Sequence, residues 1–514
     1  MLWAALLLVM PCAPEKASPP PVPGRPNLLI VMADDMGISD LGCYGSEIRT
    51  PNLDALASKG LRFTQFYNTA RCCPTRASLL TGLYPHQAGV GHMVSDNGLP
   101  GYRGRLNDRC VTFAEVLRPA GYRTYLSGKW HVGEQKGGWP VDRGFDRSYS
   151  LISGGTNYWR LDKGRILARD GESIKPPEKW YVTDAITENA ATFLRDHAKE
   201  HASKPFVLYV PYTAPHWPLH AHPEDIARYK DTYAIGWDKL REQRLAKMKK
   251  LGLVDASVGL TPRDPKVPAW DKAPNKADAA HRMAVYAAQI ECMDRGIGKL
   301  VAQLRESKSL DNTLILFLAD NGGCAEIIDR GTKGVPAGGA ESFLSYGVGW
   351  ANASNTPFRR YKHWVHEGGI RSPLIAHWPS TITKPGLVKS PAHLIDIMAT
   401  CVDVAGAKYP EKKTPLEGQS LRPLLEGKPW KEHEALFWEH EGNRAVRVGD
   451  WKLVALHKGP WELYDLGSDP LEMVDLAAKH PERVADLTRR YEAWAKRAQV
   501  RPWDEVQKSR PKKE

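Results

Sequence analysis

The sequence predicts an α/β fold in which an open, mostly parallel sheet is flanked by helices, followed by a smaller C-terminal α+β unit. The first sign is a pair of mirrored apolar runs: residues 27–33 end at Asp34-Asp35, and residues 313–319 end at Asp320-Asn321-Gly322-Gly323. Uninterrupted apolar runs of this length suit strands covered on both faces, as in parallel sheets. The second sign is that helical patterns lie between such runs, at 185–199 behind a cap at Thr183 or Asp184 and at 283–305. The third is a change of texture near residue 431, where short strand-like pieces at 435–438, 444–448 and 451–455 precede a helix at 481–497.

Taken in order, the chain opens with the apolar residues 1–10 and a proline-rich run at 19–26. Residues 1–25 read as a signal peptide and leader for export to a periplasm or the exterior: the run is too short to cross a bilayer, although a basic start is missing. A lipoprotein site at Cys12 is a weaker reading, since the preceding Val-Met-Pro lacks small residues. No later apolar run reaches spanning length, so no membrane span is expected. Residues 26–430 are expected to form the main domain and 431–506 the smaller one, with a basic tail at 507–514. Two further strands are expected at 205–211, running into Thr213-Ala-Pro-His216, and at 122–126, running into Gly128-Lys129-Trp130-His131. The polar, charged stretch 236–280 reads as a surface insertion with a part in substrate access.

Composition bounds the function. The 514 residues include 17 Trp and 19 Tyr and are 42% hydrophobic, which is globular rather than disordered. A net charge of +12, from 71 basic and 59 acidic residues, points to an anionic partner. Nucleic acid, an acidic polysaccharide and a small anion all fit this charge, but no nucleic-acid-binding motif is present and no nucleic-acid partner is expected. Of the eight cysteines, Cys43, Cys73, Cys110, Cys292, Cys324 and Cys401 are even in number, but their spacing fixes no pairing and six buried thiols fit equally well.

In an open α/β sheet ligands gather outside the carboxyl ends of the strands, so the polar run-ends should converge on one site. Asp34, Asp35, Asp320 and Asn321 offer only oxygen ligands, which suits calcium better than zinc. Three carboxylates leave about one excess negative charge on a dication, which Arg76, Lys129 and Lys362 can offset. The pivotal stretch is residues 71–82, Arg-Cys-Cys-Pro-Thr-Arg-Ala-Ser-Leu-Leu-Thr-Gly. Pro74 suits a first helical turn, which places Cys72 just ahead of a helix N-terminus, where free N–H groups favour an anion. Arg76 lies one turn along and can reach back towards it.

Cys72-x-Pro74-x-Arg76 followed by Ala-Ser-Leu-Leu-Thr-Gly resembles the signature of the formylglycine-dependent sulfatase family, within the alkaline-phosphatase-like superfamily. Residues 121–133, Gly-Tyr-Arg-Thr-Tyr-Leu-Ser-Gly-Lys-Trp-His-Val-Gly, resemble its second signature. The resemblance implies that a formylglycine-generating enzyme converts Cys72 to an aldehyde whose hydrate attacks the sulfur of an aryl or carbohydrate sulfate ester. It implies one Ca2+ held by Asp34, Asp35, Asp320, Asn321 and the modified residue 72. It further implies that Lys129 and His131 face the nucleophile and the sulfate, that His216 protonates the leaving oxygen, and that Lys362 holds sulfate. His131 also helps deprotonate the second hydroxyl of the hydrate, which expels sulfate. The remaining histidines, His92, His363 and His366 among them, read as ordinary core or surface residues. A phosphate or phosphonate monoester hydrolase is the nearest rival, with Asn321 arguing against a second metal. A non-catalytic binder of sulfated glycans is the other.

Overall fold

A computed structural model of the chain describes residues 24–509. Residues 1–23 of the expected leader and 510–514 of the expected tail lie outside the described residues. The large sheet holds β1 (Asn27–Ala33), β2 (Leu61–Tyr67), β3 (Arg123–Lys129), β4 (Arg147–Leu151), β5 (Leu167–Arg169), β6 (Glu172–Ile174), β7 (Phe206–Pro211), β8 (Thr313–Ala319), β9 (Arg371–His377), β10 (Gly386–Val388) and β11 (Ala392–His393). Its order is β10-β2-β9-β8-β1-β7-β3-β4-β5-β6, with β11 beside β2.

The two mirrored runs are neighbours. β1 and β8 pair in parallel from Asn27 opposite Thr313 to Ala33 opposite Ala319, so Asp34 and Asp320 leave the sheet level with each other. β1 is also parallel to β7, and β7 to β3, which sets all four carboxyl ends on one edge. Alternate residues of β1 enter different cores. Leu29, Val31 and Ala33 pack with Ile186, Phe193, Met283 and Ile290 from the helices Val182–Glu200 and Lys276–Glu306. Leu28, Ile30 and Met32 pack on the opposite face with Leu79 and Leu80 from the helix Cys72–Thr81 and with Ile397 and Met398 from Ile395–Val404. Two covered faces are the physical reason the run has no polar alternation.

β9 makes the sheet mixed, running antiparallel to both β2 and β8. Its Pro373 falls where the pairing with β2 shifts register between Phe63 and Phe66, a place where a strand tolerates a residue without an N–H. The C-terminal sheet is an antiparallel meander of β12 (Leu436–His440), β13 (Asn443–Val448), β14 (Trp451–Ala455) and β15 (Glu462–Asp465). One face packs Val446, Leu453 and Leu463 against Leu487, Tyr491 and Trp494 of the helix Pro481–Ala498. The other packs Trp438, Ala445 and Val454 against Tyr67, Ala70, Val365 and Ile370, which flank the candidate site.

Several expectations need correction. The helix expected from 185 begins at Val182 behind Tyr181, and neither Thr183 nor Asp184 caps it. Residues 236–280 are not a surface insertion throughout. The helix Gly236–Lys250 buries Trp237, Leu240, Arg241, Arg244 and Met248, because Arg244 reaches inward to Asp40 and Glu47. The expected basic tail begins inside the helix Trp503–Lys508, which is anchored by Trp503 and Val506. All seven described cysteines are free thiols, which answers the pairing question left open by spacing.

Candidate active site

The helix Cys72–Thr81 starts at Cys72 itself, with extended Arg71 as its N-cap, and closes at left-handed Gly82 (φ 69°). Every residue of this helix is buried, so it works as a rod inserted under the carboxyl edge of the sheet. Thr75 fastens it there: its hydroxyl donates to the backbone oxygen of Asp320 at 2.7 Å. Arg76, one turn along, is an electrostatic neighbour of Cys72 but makes its hydrogen bonds elsewhere. Its fully buried guanidinium donates to Asp320 Oδ2 at 3.1 Å and to the Lys129 carbonyl at 3.0 Å, and lies 3.7 Å from Asp34 Oδ2.

The four strand ends deliver their polar residues to one place. Asp34 Oδ2 accepts from Lys129 Nζ at 2.6 Å. Asp35, in the left-handed region (φ 64°), donates its N–H to Asp320 Oδ1 at 3.0 Å. Its carboxylate accepts from Lys362 Nζ at 2.7 Å and from Asn321 Nδ2 at 2.7 Å, and His216 Nε2 stands 3.4 Å away. His216 is oriented by its other ring nitrogen, 2.5 Å from the Trp217 carbonyl. Ligand atoms of Asp34, Asp35 and His216 lie within 4.8 Å of one another, as do those of Cys72, Cys73 and His131. All ten residues singled out from the sequence are therefore buried at this edge.

Burial in a crowd of charge pulls the ionisations apart. Burial alone would raise the Asp34 carboxyl, but Lys129, His216 and Arg76 outweigh it and hold it well below the usual range. Asp320 is pushed up by burial and by the neighbouring Asp34 and Asp35, against Arg76. Lys362 stays firmly protonated, because Asp35 more than offsets its burial. His131 is lowered to about 4 by burial and by Lys129, against the raising influence of Cys72, so it is a neutral imidazole near neutral pH.

The donor set fits a hard dication. Asp34, Asp35, Asp320 and Asn321 present oxygens only, and both Asp34 Oδ1 and Asn321 Oδ1 are buried without a hydrogen-bond partner. Buried polar atoms are normally paired, and an orphan needs an explanation such as an ion. Sequence reasoning missed Arg71 and Glu326, which pair at 3.1 Å beside the Cys72 helix, with Trp217 Nε1 donating to the same carboxylate at 2.8 Å. Arg71 adjoins the pivotal Cys72 and could have been noticed there, but nothing near Glu326 marks it, and the two meet only through the fold.

Comparison with known proteins agrees with this geometry. A family model described as "Sulfatase" matches residues 26–407, and one described as "N-sulphoglucosamine sulphohydrolase, C-terminal" matches residues 359–496. The chain is 35% identical to an arylsulfatase of Klebsiella aerogenes over 74% of this chain and 87% of the relative. It is 35% identical to an uncharacterized sulfatase of Schizosaccharomyces pombe over 84% and 86%. Among solved structures, Ps i-CgsB in complex with k-i-k-neocarrahexaose superposes with a TM-score of 0.70 at 27% identity, covering 92% of this chain and 93% of that one. The match over most of the chain, on an alkaline-phosphatase-like sheet that gathers the signature residues at one edge, shows that this chain belongs to the sulfatase family and is a sulfatase enzyme.

Proposed function

We propose that the enzyme releases inorganic sulfate from aryl or carbohydrate sulfate esters through a formylglycine formed from Cys72 and with one calcium ion. The observation that carries this reading is the placement of Cys72. It is buried at the first position of a helix, against His131 and Lys129 and beside an oxygen-only ligand set with two orphaned oxygens. In this structure the Cys72 sulfur stands in for the oxygens that the modified residue would carry in the mature enzyme. That residue, as a hydrated aldehyde, supplies a hydroxyl nucleophile and a second hydroxyl through which the sulfated enzyme can break down; calcium supplies charge stabilisation and a more acidic oxygen. Asp34, Asp35, Asp320 and Asn321 would hold the ion.

The chain's own groups then divide the work. Arg76 and Lys129 fix the carboxylates and leave a positive field for the sulfuryl oxygens. Lys362, tied to Asp35, adds a further cation for the bound sulfate. His216 has one nitrogen committed to the Trp217 carbonyl and its Nε2 directed at Asp35, which leaves it placed to donate a proton to the departing oxygen. His131, neutral near pH 7, can accept the proton released when sulfate leaves.

The positive net charge and the neocarrahexaose bound by the structural relative support a sulfated polysaccharide as substrate. Export of the chain through residues 1–25, a catalytic unit at 26–430 and a C-terminal unit at 431–506 belong to the same reading, with a formylglycine-generating enzyme acting before or during export. No described helix is long and apolar enough to cross a membrane. The test is mass spectrometry of the peptide containing residue 72 together with sulfate release. An aldehyde or its hydrate is expected at 72, with turnover abolished in Cys72→Ala and largely kept in Cys73→Ala. Activity with an intact thiol at 72 would sink the mechanism, and hydrolysis of phosphate or phosphonate esters in preference to sulfates would move the enzyme to the rival class.

A further inference from the structure

Beyond Lys362, on the side towards the C-terminal sheet, four residues from three separate segments converge. His92 comes from the loop after the Cys72 helix, His363 follows Lys362, and His440 and Glu441 form the end of β12 and its hairpin turn. His440 is fully buried, and neither of its ring nitrogens has a hydrogen-bond partner. Leaving a buried imidazole without partners on either nitrogen is costly. Its surroundings are not apolar. Its ring centroid lies 5.4 Å from that of His363 and 5.8 Å from that of His92, and its Nε2 is 3.8 Å from Glu441 Oε1. Glu441 in turn has one oxygen 3.3 Å from His92 Nδ1 and the other 3.3 Å from His363 Nδ1. The backbone is bent to allow this, with left-handed values at Glu441 (φ 51°) and His363 (φ 92°), positions that cost energy for residues with a Cβ.

We propose that His92, His363, His440 and Glu441 form a zinc-binding site, separate from the oxygen-only site at the strand ends. Three imidazoles and one carboxylate are the donors that zinc selects, whereas calcium takes oxygens. Bonds of about 2.0–2.1 Å in a tetrahedron set neighbouring ligand atoms about 3.3–3.4 Å apart. His92 Nδ1 stands at that distance from one Glu441 oxygen and His363 Nδ1 from the other, and the ligand atoms of His92, His440 and Glu441, without His363, all lie within 4.8 Å of one another. Rotation of the His363 and His440 side chains would bring a nitrogen of each to the ion. The ion would clamp the C-terminal hairpin to the backbone that carries Lys362, whose neighbour His363 donates its N–H to the Ala70 carbonyl at 2.7 Å, two residues before Cys72.

The test uses the full chain, stripped with a chelator and returned to buffer containing saturating calcium and a small excess of zinc. About one zinc per chain is expected by elemental analysis, with a raised melting temperature and, after cobalt substitution, the intense visible bands of a tetrahedral ion. His440→Ala should lose the zinc, whereas Asp320→Ala, in the other site, should keep it. Should His440→Ala fail to fold, Glu441→Gln serves instead, since that side chain is partly exposed and its removal leaves no cavity. Absence of stoichiometric zinc in the wild-type chain, zinc retained by the His440 and Glu441 variants, or zinc lost only in Asp320→Ala would each overturn the assignment.

Discussion

Two buried clusters of charge lie side by side, joined through the Tyr286 hydroxyl, which donates to Asp40 Oδ2 at 2.8 Å and to the Asp35 carbonyl at 3.2 Å. In the first, Arg244 grips both oxygens of Glu47 at 2.8 and 3.0 Å and Asp40 at 2.6 Å. Gly37 N–H and Tyr233 supply the remaining donors, so every charged atom of that cluster is spent inward. The second cluster, at the strand ends, has equally short ion pairs yet leaves Asp34 Oδ1, Asn321 Oδ1, His131 Nδ1 and Arg76 Nε without partners. Burial and charge alone therefore do not distinguish function from architecture. Between these two clusters, unspent bonding capacity does.

The largest expected difference is kinetic. His216→Ala should slow esters of poor leaving groups, such as sugar alcohols, by about 10²–10⁴-fold and esters of acidic phenols far less, measured as kcat/KM across a leaving-group series. Lys362→Ala should lower kcat/KM across the whole series without a change of slope. A flat plot for the His216 variant would remove it from the acid role. Breaking the other cluster should act on stability instead. Arg244→Ala leaves the buried Asp40 carboxylate and the partly buried Glu47 uncompensated and should cost about 3–5 kcal/mol in denaturant unfolding, with the leaving-group slope unchanged. A stable Arg244 variant with an altered slope would erase the contrast between the clusters.

A smaller effect lies in acid. His131, lowered to about 4, stays neutral in the folded chain where the unfolded chain, with the ordinary value near 6.5, gains a proton. Stability should fall as pH drops from about 6.5 towards 4, by at most about 3 kcal/mol from this residue. His131→Gln should flatten that part of the pH–stability curve; an unchanged curve would mean the imidazole titrates alike in the folded and unfolded chain. The smallest expected effect is that of the ion. Calcium at about a hundred times its dissociation constant should stabilise the fold by about 2.7 kcal/mol. Asp320→Ala should lose both that shift and turnover, while Arg244→Ala should keep the calcium shift.

What the sequence made legible follows from where the information sits. β1 and β8 were readable because burial on both faces writes itself as an unbroken apolar run, and the site was readable because its residues end those runs or stand in ordered signatures. β9 was not, because its antiparallel place depends on pairing with strands distant in sequence and its Pro373 argues locally against a strand. Arg244 looked like one more charge on a polar helix, since its partners Asp40 and Glu47 are about two hundred residues away and the few apolar residues beside it, Leu240, Leu245 and Met248, are outnumbered by charges. His92, His363 and His440 were passed over for the same reason. His363 adjoins Lys362, but His92 and His440 have unremarkable sequence neighbourhoods, and only the docking of the C-terminal sheet brings the three together.

The residue-for-residue pairing of β1 with β8 sets a limit on how this enzyme can diverge. Adding or deleting one residue in either strand would move one side of the ligand set by about 3.3 Å relative to the other and turn its side chains to the opposite face. Carboxylates bound to calcium tolerate only tenths of an ångström in bond length. Length changes are therefore expected to be absent from these two strands in homologues and to accumulate in the segments that leave the sheet, so that new substrates are met by remodelling the rim around an edge that cannot drift.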